Sequence, residues 1–320
     1  MKEKIQRFIN SELFENLLPV LILIMMTLLF AILTGGRFMS ATNIKLIINQ
    51  ATVIALIATG AVFVYSSGKM NIAMGSTTCV TVMIGILIYA RTESLPMTFV
   101  GSIIASIGIM ACVVFLSNLL HLDMQALTTM LMVFMQSIQS IVLVKGSWAI
   151  PYSTVIPLQK ANIPMIMLFA YFIIAMFLYD FTPIGRNLEY IGENRTCAQL
   201  TGIKLNKYVA LSYLFCSVGI GLGAGAFIIR NASIGPSSGS SLNMDVILAM
   251  VLAGSPLKGG SKSKIYSGII GALISVGLGN GLTMLGIGSY YIQIIKGILF
   301  LVILISTSKR PDSLPVKQML

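Results

Sequence analysis

The polar side chains that fall inside the apolar stretches of this chain are mostly neutral amides and hydroxyls. Asn280 and Gln293 lie inside late apolar runs, Asn71 marks a polar break between the second and third runs, and Asp245 is a carboxylate at the start of a short apolar run. Amides and hydroxyls offer hydrogen bonds without charge, which suits a polyol-like solute better than an ion. Each amide has an alternative role as a hydrogen-bond partner between helices. For Asp245, the alternative is a carboxylate that caps a helix and touches water.

Patterns typical of catalysis or ATP hydrolysis are not visible. The sequence contains neither a Walker A motif, GxxxxGK[ST], nor HExxH. The single histidine, His121, lies beside Asp123 without a defined proton relay. We therefore expect a protein that is not an enzyme and that holds no metal or cofactor itself. The cysteines show no CxxC spacing and indicate small buried residues rather than a metal or disulfide framework; they are Cys79, Cys112, Cys197 and Cys216.

Long apolar runs dominate the chain and determine its class. Apolar residues make up 56% of the sequence and charged residues only 10%, whereas a soluble domain is roughly a quarter charged. The runs are too long and too continuous for barrel strands. They predict an all-α, polytopic integral membrane protein. A net charge of +11 could indicate a nucleic-acid partner, but no basic, aromatic-interleaved soluble segment exists to bind one.

About ten membrane segments are predicted from the bilayer length. The apolar run of the first segment is longer than the apolar core of a signal peptide, so we expect this segment to be retained as a membrane helix. The eighth rises only about 21 Å between Gly- and Ser-rich stretches, which predicts a broken or re-entrant element that lines a cavity or is buried in protein. The predicted segments are residues 17–33, 44–65, 72–90, 95–120, 124–144, 163–181, 209–229, 244–257, 265–285 and 290–307.

Lys and Arg near the segment ends predict the orientation. With a cytoplasmic N-terminus, fourteen of these residues lie on the cytoplasmic side and six on the other, with Lys296 inside the last segment. Lys296 is expected to snorkel or to pair with a carboxylate. The predicted division is a cytoplasmic segment at 1–16, a single membrane domain at 17–307 and a cytoplasmic tail at 308–320, with residues 182–208 forming a cytoplasmic loop.

Residues 182–208 form the longest water-facing interval. Asn194 is a good N-cap, residues 195–201 can form about two helical turns, and Gly202 suits the left-handed residue after a helix. A short helix outside the bilayer is therefore predicted, and the alternative is a connecting loop with a frayed helix. On the other side, residues 145–162 form the longest loop and contain Trp148, which is either an interfacial anchor or part of a docking surface.

Three stretches carry a resemblance to a known family. They are IGENRTCAQLTGIKL (191–205), DVILAMVLAGSPLKGGSKSKIYSGIIGALI (245–274) and NGL (280–282). In this order they resemble the permease subunits of bacterial simple-sugar ABC importers, the ribose, xylose, galactose and autoinducer-type members of the branched-chain amino acid/ribose-type permease family. The resemblance extends from about Asn43 to the last helix.

The resemblance implies a mechanism and partners. ATP would be bound by a separate ATPase subunit beneath the membrane domain, a solute-binding protein would dock outside, and a second, identical or different permease would complete the pair in the bacterial cell membrane. The segment that matches the family's coupling helix would dock on the ATPase. Its residues are Gly192, Glu193, Asn194, Ala198, Leu200 and Gly202.

Two departures from the family pattern bear on the solute. The family's GGIDLSVGS-like stretch is GKMNIAMGS here, with Asn71 where Asp is usual. The ELDAIAA-like stretch is NMDVILA, with Asn243 in place of Glu and Asp245 kept. The loss of two carboxylates leaves the sugar open and fits a subunit that works beside a more typical permease. We expect the translocation pathway to include Asn71, Gly75, Asp245, Asn280 and Gln293.

Two other functional classes are weighed against the importer. An ion-coupled secondary transporter would need acidic residues within spans, but Asp123, Asp180 and Asp245 all lie near predicted segment ends. A membrane scaffold or sensor would show no solute-dependent ATPase stimulation. The leading expectation is the permease subunit of an ATP-driven importer of a small polar solute.

Overall fold

A computed structural model describes residues 12–236, 238–255, 259–260 and 264–308. Within these ranges the chain forms thirteen α-helices, one short 3-10 helix and one antiparallel strand pair. The predicted all-α class is confirmed. Most of the predicted terminal segments, 1–16 and 308–320, lies outside the described residues, as does the end of the predicted segment 244–257.

Seven α-helices precede residues 182–208. A 3-10 helix at Arg37–Met39 separates the first two, and the N-cap Ser40 side chain accepts a hydrogen bond from Asn43 N at the start of the second. The helices are α1 (Glu12–Leu33), α2 (Ala41–Ser66), α3 (Met74–Thr92), α4 (Leu95–Leu120), α5 (Met124–Val142), α6 (Tyr152–Lys160) and α7 (Ile163–Asp180).

Six further helices and a strand complete the described chain. Strand β1 (Trp148–Ala149) lies between α5 and α6, and strand β2 follows α10. The remaining elements are α8 (Pro183–Glu193), α9 (Arg195–Leu200), α10 (Leu205–Asn231), β2 (Ser233–Ile234), α11 (Ser238–Leu252), α12 (Ile265–Met284) and α13 (Ser289–Ser308).

The apolar helices coincide with the ten predicted membrane segments. Seven helices in the described part of the chain are long and apolar enough to cross a membrane: α2, α3, α4, α5, α7, α10 and α12. The other three segments coincide with shorter apolar stretches in α1, α11 and α13. The chain is therefore a multi-pass membrane protein, while the count of ten spans stays a prediction.

The core forms where glycines let helices approach closely. Helix α10 lies against α2 and α4, and α12 lies against another face of α2. A Cβ atom on Gly219 would lie 2.7 Å from the carbonyl oxygen of Leu56, and one on Gly268 would lie 2.9 Å from the carbonyl carbon of Ala58. At these positions the glycines serve helix packing, because any larger side chain would push the backbones apart.

Residues 145–162 are more ordered than the predicted loop. Trp148 pairs with Ile234 in the strand ladder, and α6 follows. The side-chain amide of Gln159 donates a hydrogen bond of 2.6 Å to the carbonyl oxygen of Ile229. The prediction of a loop was wrong here because the ladder partner of Trp148 lies far along the chain, where no local pattern indicates it.

The connections between helices gather at two ends of the bundle. At one end, here called the Asp123 end, Lys69 forms an ion pair with Asp123, and the segment 259–260 contacts Ser66. At the opposite end, here called the Trp148 end, β1 pairs with β2. The structure therefore places at one end the connections that the count of Lys and Arg assigned to one side of the membrane. That this end faces the cytoplasm stays a prediction.

Candidate functional site

Helix α9 is a short, capped helix at the Asp123 end. The side chain of Asn194 accepts a hydrogen bond of 3.0 Å from Cys197 N, and Gly202 follows with φ +84°. Both predictions for this helix are confirmed, although it ends at Leu200 rather than at residue 201. Ala198 is buried, whereas the Leu200 side chain is 82% exposed. The helix therefore rests on the bundle through Ala198 and presents an apolar side chain outward.

Helix α8 was not predicted. Thr182 caps it by accepting a hydrogen bond of 3.2 Å from Ile184 N, and Pro183 occupies its first turn. Leu188 and Ile191 are buried at helical spacing. The interpretation of residues 182–208 as a water-facing loop with one short helix was therefore wrong in its first half. The Thr-Pro start and the i, i+3 apolar pair were the sequence signals for this helix.

Gly192 joins α8 to two other parts of the chain. A Cβ atom here would overlap the carbonyl oxygen of Ser66 and would lie 2.5 Å from Gly260 N. Gly260 N itself donates a hydrogen bond of 3.1 Å to the Ser66 carbonyl oxygen. We call this contact of Ser66, Gly192 and Gly260 the glycine junction. The junction therefore places the end of α8 in direct contact with the end of α2 and with the chain before α12.

A polar side-chain bridge supports the same junction. Ser66 Oγ lies 2.6 Å from Tyr179 Oη, and Tyr179 Oη donates a hydrogen bond of 3.0 Å to Glu189 Oε1. Burial raises the pKa of Glu189 above its ordinary value, although the Tyr179 hydrogen bond and the charge of Lys264 oppose the rise. Helices α2, α7 and α8 are thus connected by polar side chains as well as by backbone contact.

The Lys69–Asp123 ion pair lies at the same end. The Nζ–Oδ2 distance is 2.5 Å, and Asp123 Oδ1 also accepts a hydrogen bond from Gln125 N at the start of α5. Burial raises the pKa of Asp123, but the hydrogen bond from Lys69 and the one from Gln125 N lower it more. The charge of Arg195, the first residue of α9, lowers it further. The net direction is downward, so Asp123 stays ionised beside two cations.

The pathway candidates Asn71 and Gly75 lie in the break between α2 and α3. Asn71 is fully buried, its Oδ1 accepts a hydrogen bond from Ala73 N, and its Nδ2 lies 3.5 Å from the sulfur of Met110. Met110 is ten residues before the end of α4, or about 15 Å of helix, so the amide lies well inside the bundle. The predicted polar break is confirmed.

Gly75 packs against α11. A Cβ atom on Gly75 would lie 2.7 Å from Asn243 Cα, and Asn243 Oδ1 accepts a hydrogen bond of 2.9 Å from Ser76 N. In the sequence, Asn243 stands out only as a departure from the family, and no local pattern indicates its contact with the start of α3. Thr77 was also missed. A cluster of Thr and Ser in MGSTTCVT was the available signal.

Several buried polar atoms near this contact have no described partner. Thr77 Oγ1 and Asn243 Nδ2 are buried without a hydrogen bond in the described part of the chain, as is Tyr65 Oη on α2. Buried polar groups are normally satisfied by protein, water or ligand. Thr77, Asn243 and Tyr65 therefore carry hydrogen-bonding atoms that the described part of the chain leaves unsatisfied.

Asp245 does not cap a helix. Helix α11 begins at Ser238, so Asp245 lies in its middle, and the interpretation as an N-terminal cap was wrong. Its Oδ1 accepts hydrogen bonds from Lys296 Nζ and, at 3.4 Å, from Ser275 Oγ. Lys296 pairs with a carboxylate, which was one of its two predicted roles. The cap was predicted because the polar stretch before residue 244 hid the helix start.

The pathway candidates divide into two groups on either side of α11. Asn71 and Gly75 lie on the α3 side. Asn280 belongs to α12 and Gln293 to α13, the two helices that supply partners to Asp245. Asn280 Oδ1 is buried without a described partner, whereas Gln293 is exposed. The structure does not bring all five candidates into one site.

Comparison with known proteins gives a family and several relatives. The family described as branched-chain amino acid transport system / permease component matches residues 43–304. The ribose import permease protein RbsC of Escherichia coli (strain K12) is 34% identical over 139 residues, which cover 43% of each chain. The xylose transport system permease protein XylH of Haemophilus influenzae is 34% identical over 151 residues, covering 46% of this chain and 39% of that protein.

A longer match is weaker in identity. The fructose import permease protein FrcC of Rhizobium meliloti is 23% identical over 331 aligned positions, covering 94% of this chain and 86% of that protein. The matches to the ribose permeases cover less than half of their length, 43% for the Escherichia coli protein and 46% for that of Bacillus subtilis. No solved structure matches the chain significantly.

Proposed function

The chain belongs to the branched-chain amino acid transport system / permease component family, and on that premise we propose that it is the membrane-spanning permease subunit of an ATP-binding cassette importer. It moves a monosaccharide or a similar small polar solute across the cytoplasmic membrane, and a separate ATPase subunit supplies the free energy. Both termini and the Asp123 end face the cytoplasm. ATP is bound by the ATPase subunit, so the permease itself carries no cofactor.

The observation that carries this proposal is the attachment of α9. It is an exposed, capped helix whose neighbour α8 contacts α2 through the glycine junction. The Leu200 side chain is exposed, and removing an exposed apolar side chain from water favours contact with a partner. The ATPase subunit docks on α9, and the junction carries the movement inward.

The coupling residues have different roles in this proposal. Asn194 and Gly202 fix the two ends of α9, Ala198 anchors it, and Leu200 contacts the ATPase. Gly192 forms the glycine junction, while Glu193 lies beside Gly260, because a Cβ atom on Gly260 would be 3.0 Å from Glu193 Cγ.

The Trp148 end receives the solute-binding protein in this arrangement. Strand β1, strand β2 and α6 form a folded surface there, which is more suitable for docking than a loose loop. A second permease, identical or different, completes the pathway, and two ATPase sites lie beneath the pair. Membrane lipid covers the exposed apolar faces of helices such as α4 and α7.

The solute class follows from the neutral groups around the start of α3. Thr77, Asn243 and Asn71 provide hydroxyl and amide groups but no charge, and they lie buried near the contact of α3 with α11. Such groups match the hydroxyls of a sugar. Relatives that carry the names of ribose, xylose and fructose permeases support the same class.

The cycle needs two arrangements of the bundle. Closure of the ATPase subunits pushes on α9, and the rigid contact at Gly192 displaces the end of α2 and the chain before α12 together. Because α2 and α12 pack directly on one another, the displacement shifts the bundle between inward- and outward-open forms.

Reconstitution tests the proposal. The chain is co-expressed with candidate ATPase, binding-protein and permease subunits from a simple-sugar importer, purified and placed in liposomes. Uptake of labelled ribose, xylose and fructose is measured with and without internal ATP. Uptake that requires ATP and survives an ionophore is expected. Uptake that needs no ATPase and collapses with the ion gradient would identify a secondary transporter instead, and failure to co-purify any ATPase would contradict the proposal.

A further inference from the structure

Helix α11 is too short to be positioned by the bilayer alone. Its fifteen residues rise about 22 Å, whereas the hydrocarbon layer is about 30 Å thick. The position of α11 along its own axis must therefore be set by its neighbours. It packs between α3 on one side and α12 and α13 on the other.

On the α3 side, the contact depends on register. Asn243 Oδ1 accepts the hydrogen bond from Ser76 N, and the backbone of Asn243 lies directly against Gly75. A shift of one residue along α11 moves Asn243 by about 1.5 Å, which is enough to break a hydrogen bond of 2.9 Å. Asn243 Nδ2 at this contact is buried without a hydrogen bond in the described part of the chain.

On the opposite side, an ion pair holds the same stretch of α11. Asp245, two residues after Asn243, accepts a hydrogen bond from Lys296 Nζ of α13, and Ser275 of α12 donates to the same oxygen. The side chains of Asp245 and Lys296 are only 18% and 8% exposed. Gly279 leaves room for the ammonium group, since a Cβ atom there would lie 3.0 Å from Lys296 Nζ.

A charge pair inside apolar segments is costly to place and costlier to break. Loss of one partner leaves an uncompensated charge in a low-dielectric environment. The ion pair therefore holds α11 against α13 strongly and in one relative position. Apolar packing alone would allow one helix to slide along the other. The contact of Asp245 with Lys296 and Ser275 holds α11 at the position along its own axis where Asn243 Oδ1 meets Ser76 N.

We propose that Asp245 and Lys296 are positioning residues that set the register of α11 against α3, and so place Asn243 for the solute. This rests on the proposed function, but the register itself is measurable without transport. The pair acts through position and charge complementarity, so either helix can carry either charge. A direct contact between the Asp245 carboxylate and the solute would not permit such an exchange.

The first experiment measures transport per folded molecule. Asp245→Asn, Lys296→Met and the exchanged variant Asp245→Lys with Lys296→Asp are compared in the reconstituted complex. Uptake is normalised to the monodisperse fraction in detergent. The matched control is Gly297→Ala, next to Lys296, where a Cβ atom meets nothing within 4 Å.

Each single variant is expected to lose about tenfold or more of its uptake per folded molecule, because the folded variant lacks the ion pair that holds α11 in register with α3. The exchanged variant is expected to recover most of it. Full activity per folded molecule in both single variants would show a purely structural pair. An exchanged variant that folds like the wild type but stays inactive would show that the solute needs the carboxylate itself. Either result overturns the proposal.

A second variant covers the case in which the exchanged protein does not fold. Asp245→Asn with Lys296→Gln replaces the ion pair with two amides that can still form a hydrogen bond. Its uptake per folded molecule is expected to exceed that of Asp245→Asn alone. Equal or lower uptake contradicts positioning.

The third measurement reports the register without transport. Ser76→Cys and Asn243→Cys are introduced where the native cysteines have been replaced by alanine, and disulfide formation is followed after mild oxidation. Crosslinking is expected to fall severalfold when Asp245→Asn is added and to return with the exchanged pair. Unchanged crosslinking overturns the inference, whereas absent ATP-driven uptake in the wild type contradicts only the proposed function.

Discussion

The backbone N–H of Gly260 donates a hydrogen bond of 3.1 Å to the carbonyl oxygen of Ser66, the last residue of α2. The two residues lie on parts of the chain that are remote in sequence, and Gly192 of α8 packs against both. The end of α8, the end of α2 and the chain before α12 therefore share one backbone contact. Changes at this contact should alter the connection between α9 and the membrane helices.

Gly192→Ala tests the glycine junction directly. The added methyl group would overlap the Ser66 carbonyl oxygen, so the backbones must separate at a cost of about 1–3 kcal/mol. We expect less uptake per ATP hydrolysed, measured in proteoliposomes, together with a lower melting temperature. Gly108→Ala is the control, because a Cβ atom there meets nothing within 4 Å. Normal coupling in Gly192→Ala would exclude the junction as a transmission point.

Leu200→Ser tests the docking role of α9. The side chain is 82% exposed, so the free energy of unfolding should change by less than about 0.5 kcal/mol. Affinity for the ATPase subunit should weaken by about 1 kcal/mol or more if Leu200 lies at the centre of the interface. Binding is measured with the purified ATPase in detergent. Leu122→Ser, another exposed leucine at the Asp123 end, should leave it unchanged.

Replacing Gly202 or Glu193 should uncouple ATP hydrolysis from uptake while the membrane fold stays intact. At Gly202, φ is +84°, and a residue with a Cβ atom pays roughly 1–2 kcal/mol for that conformation. Gly202→Ala should therefore loosen the end of α9, and Gly202→Asn should be milder because Asn tolerates left-handed geometry. Uptake and ATPase rates are measured together. Unchanged uptake in both Gly202→Ala and Glu193→Ala would refute the coupling role.

The pH dependence of stability should show opposite contributions from two carboxylates. The pKa of Glu189 is raised from its ordinary value of 4.5, so the folded protein holds this proton more tightly than the unfolded chain. Its contribution is complete below pH 4.5 and is lost as the pH rises through the raised pKa. Glu189→Gln should remove that loss, which thermal unfolding in detergent from pH 4 to 8 would show.

Asp123 supplies the matched comparison. Its pKa is lowered from 3.8, so its stabilisation is present above that value and disappears as the pH falls through the lowered pKa. Asp123→Asn should therefore lower the stability of the protein at neutral pH. The fall in stability towards acid pH should also be less steep than in the wild type. Parallel curves for the wild type and both variants would contradict the two assignments.

Thr77→Val tests the route beside α11. The hydroxyl of Thr77 is buried and has no described partner, so its removal should leave stability equal or slightly higher. Uptake should show a raised KM if the hydroxyl contacts the solute. Thr81→Val, one turn along α3, is the control, because the Thr81 hydroxyl already bonds to the Thr77 carbonyl oxygen at 2.8 Å. An equal KM for both variants and the wild type would remove Thr77 from the route.

The sequence alone determined the features that depend on neighbouring residues. The apolar segments coincide with the helices because bilayer-length hydropathy is a property of consecutive residues. The caps of α9 were also readable, since Asn194 bonds to a residue only three positions away and Gly202 needs only its own backbone angle. The family resemblance depended on the same local stretches.

Only the tertiary structure decided which distant groups meet. The partner of Asp245 lies 51 residues away on α13, and β1 pairs with a strand beyond five further helices. Gly192 gave no sign that it would pack against Ser66. In an apolar bundle many helix faces can pack at similar cost, and the choice among them follows from a few polar contacts and close glycine approaches formed when the chain folds.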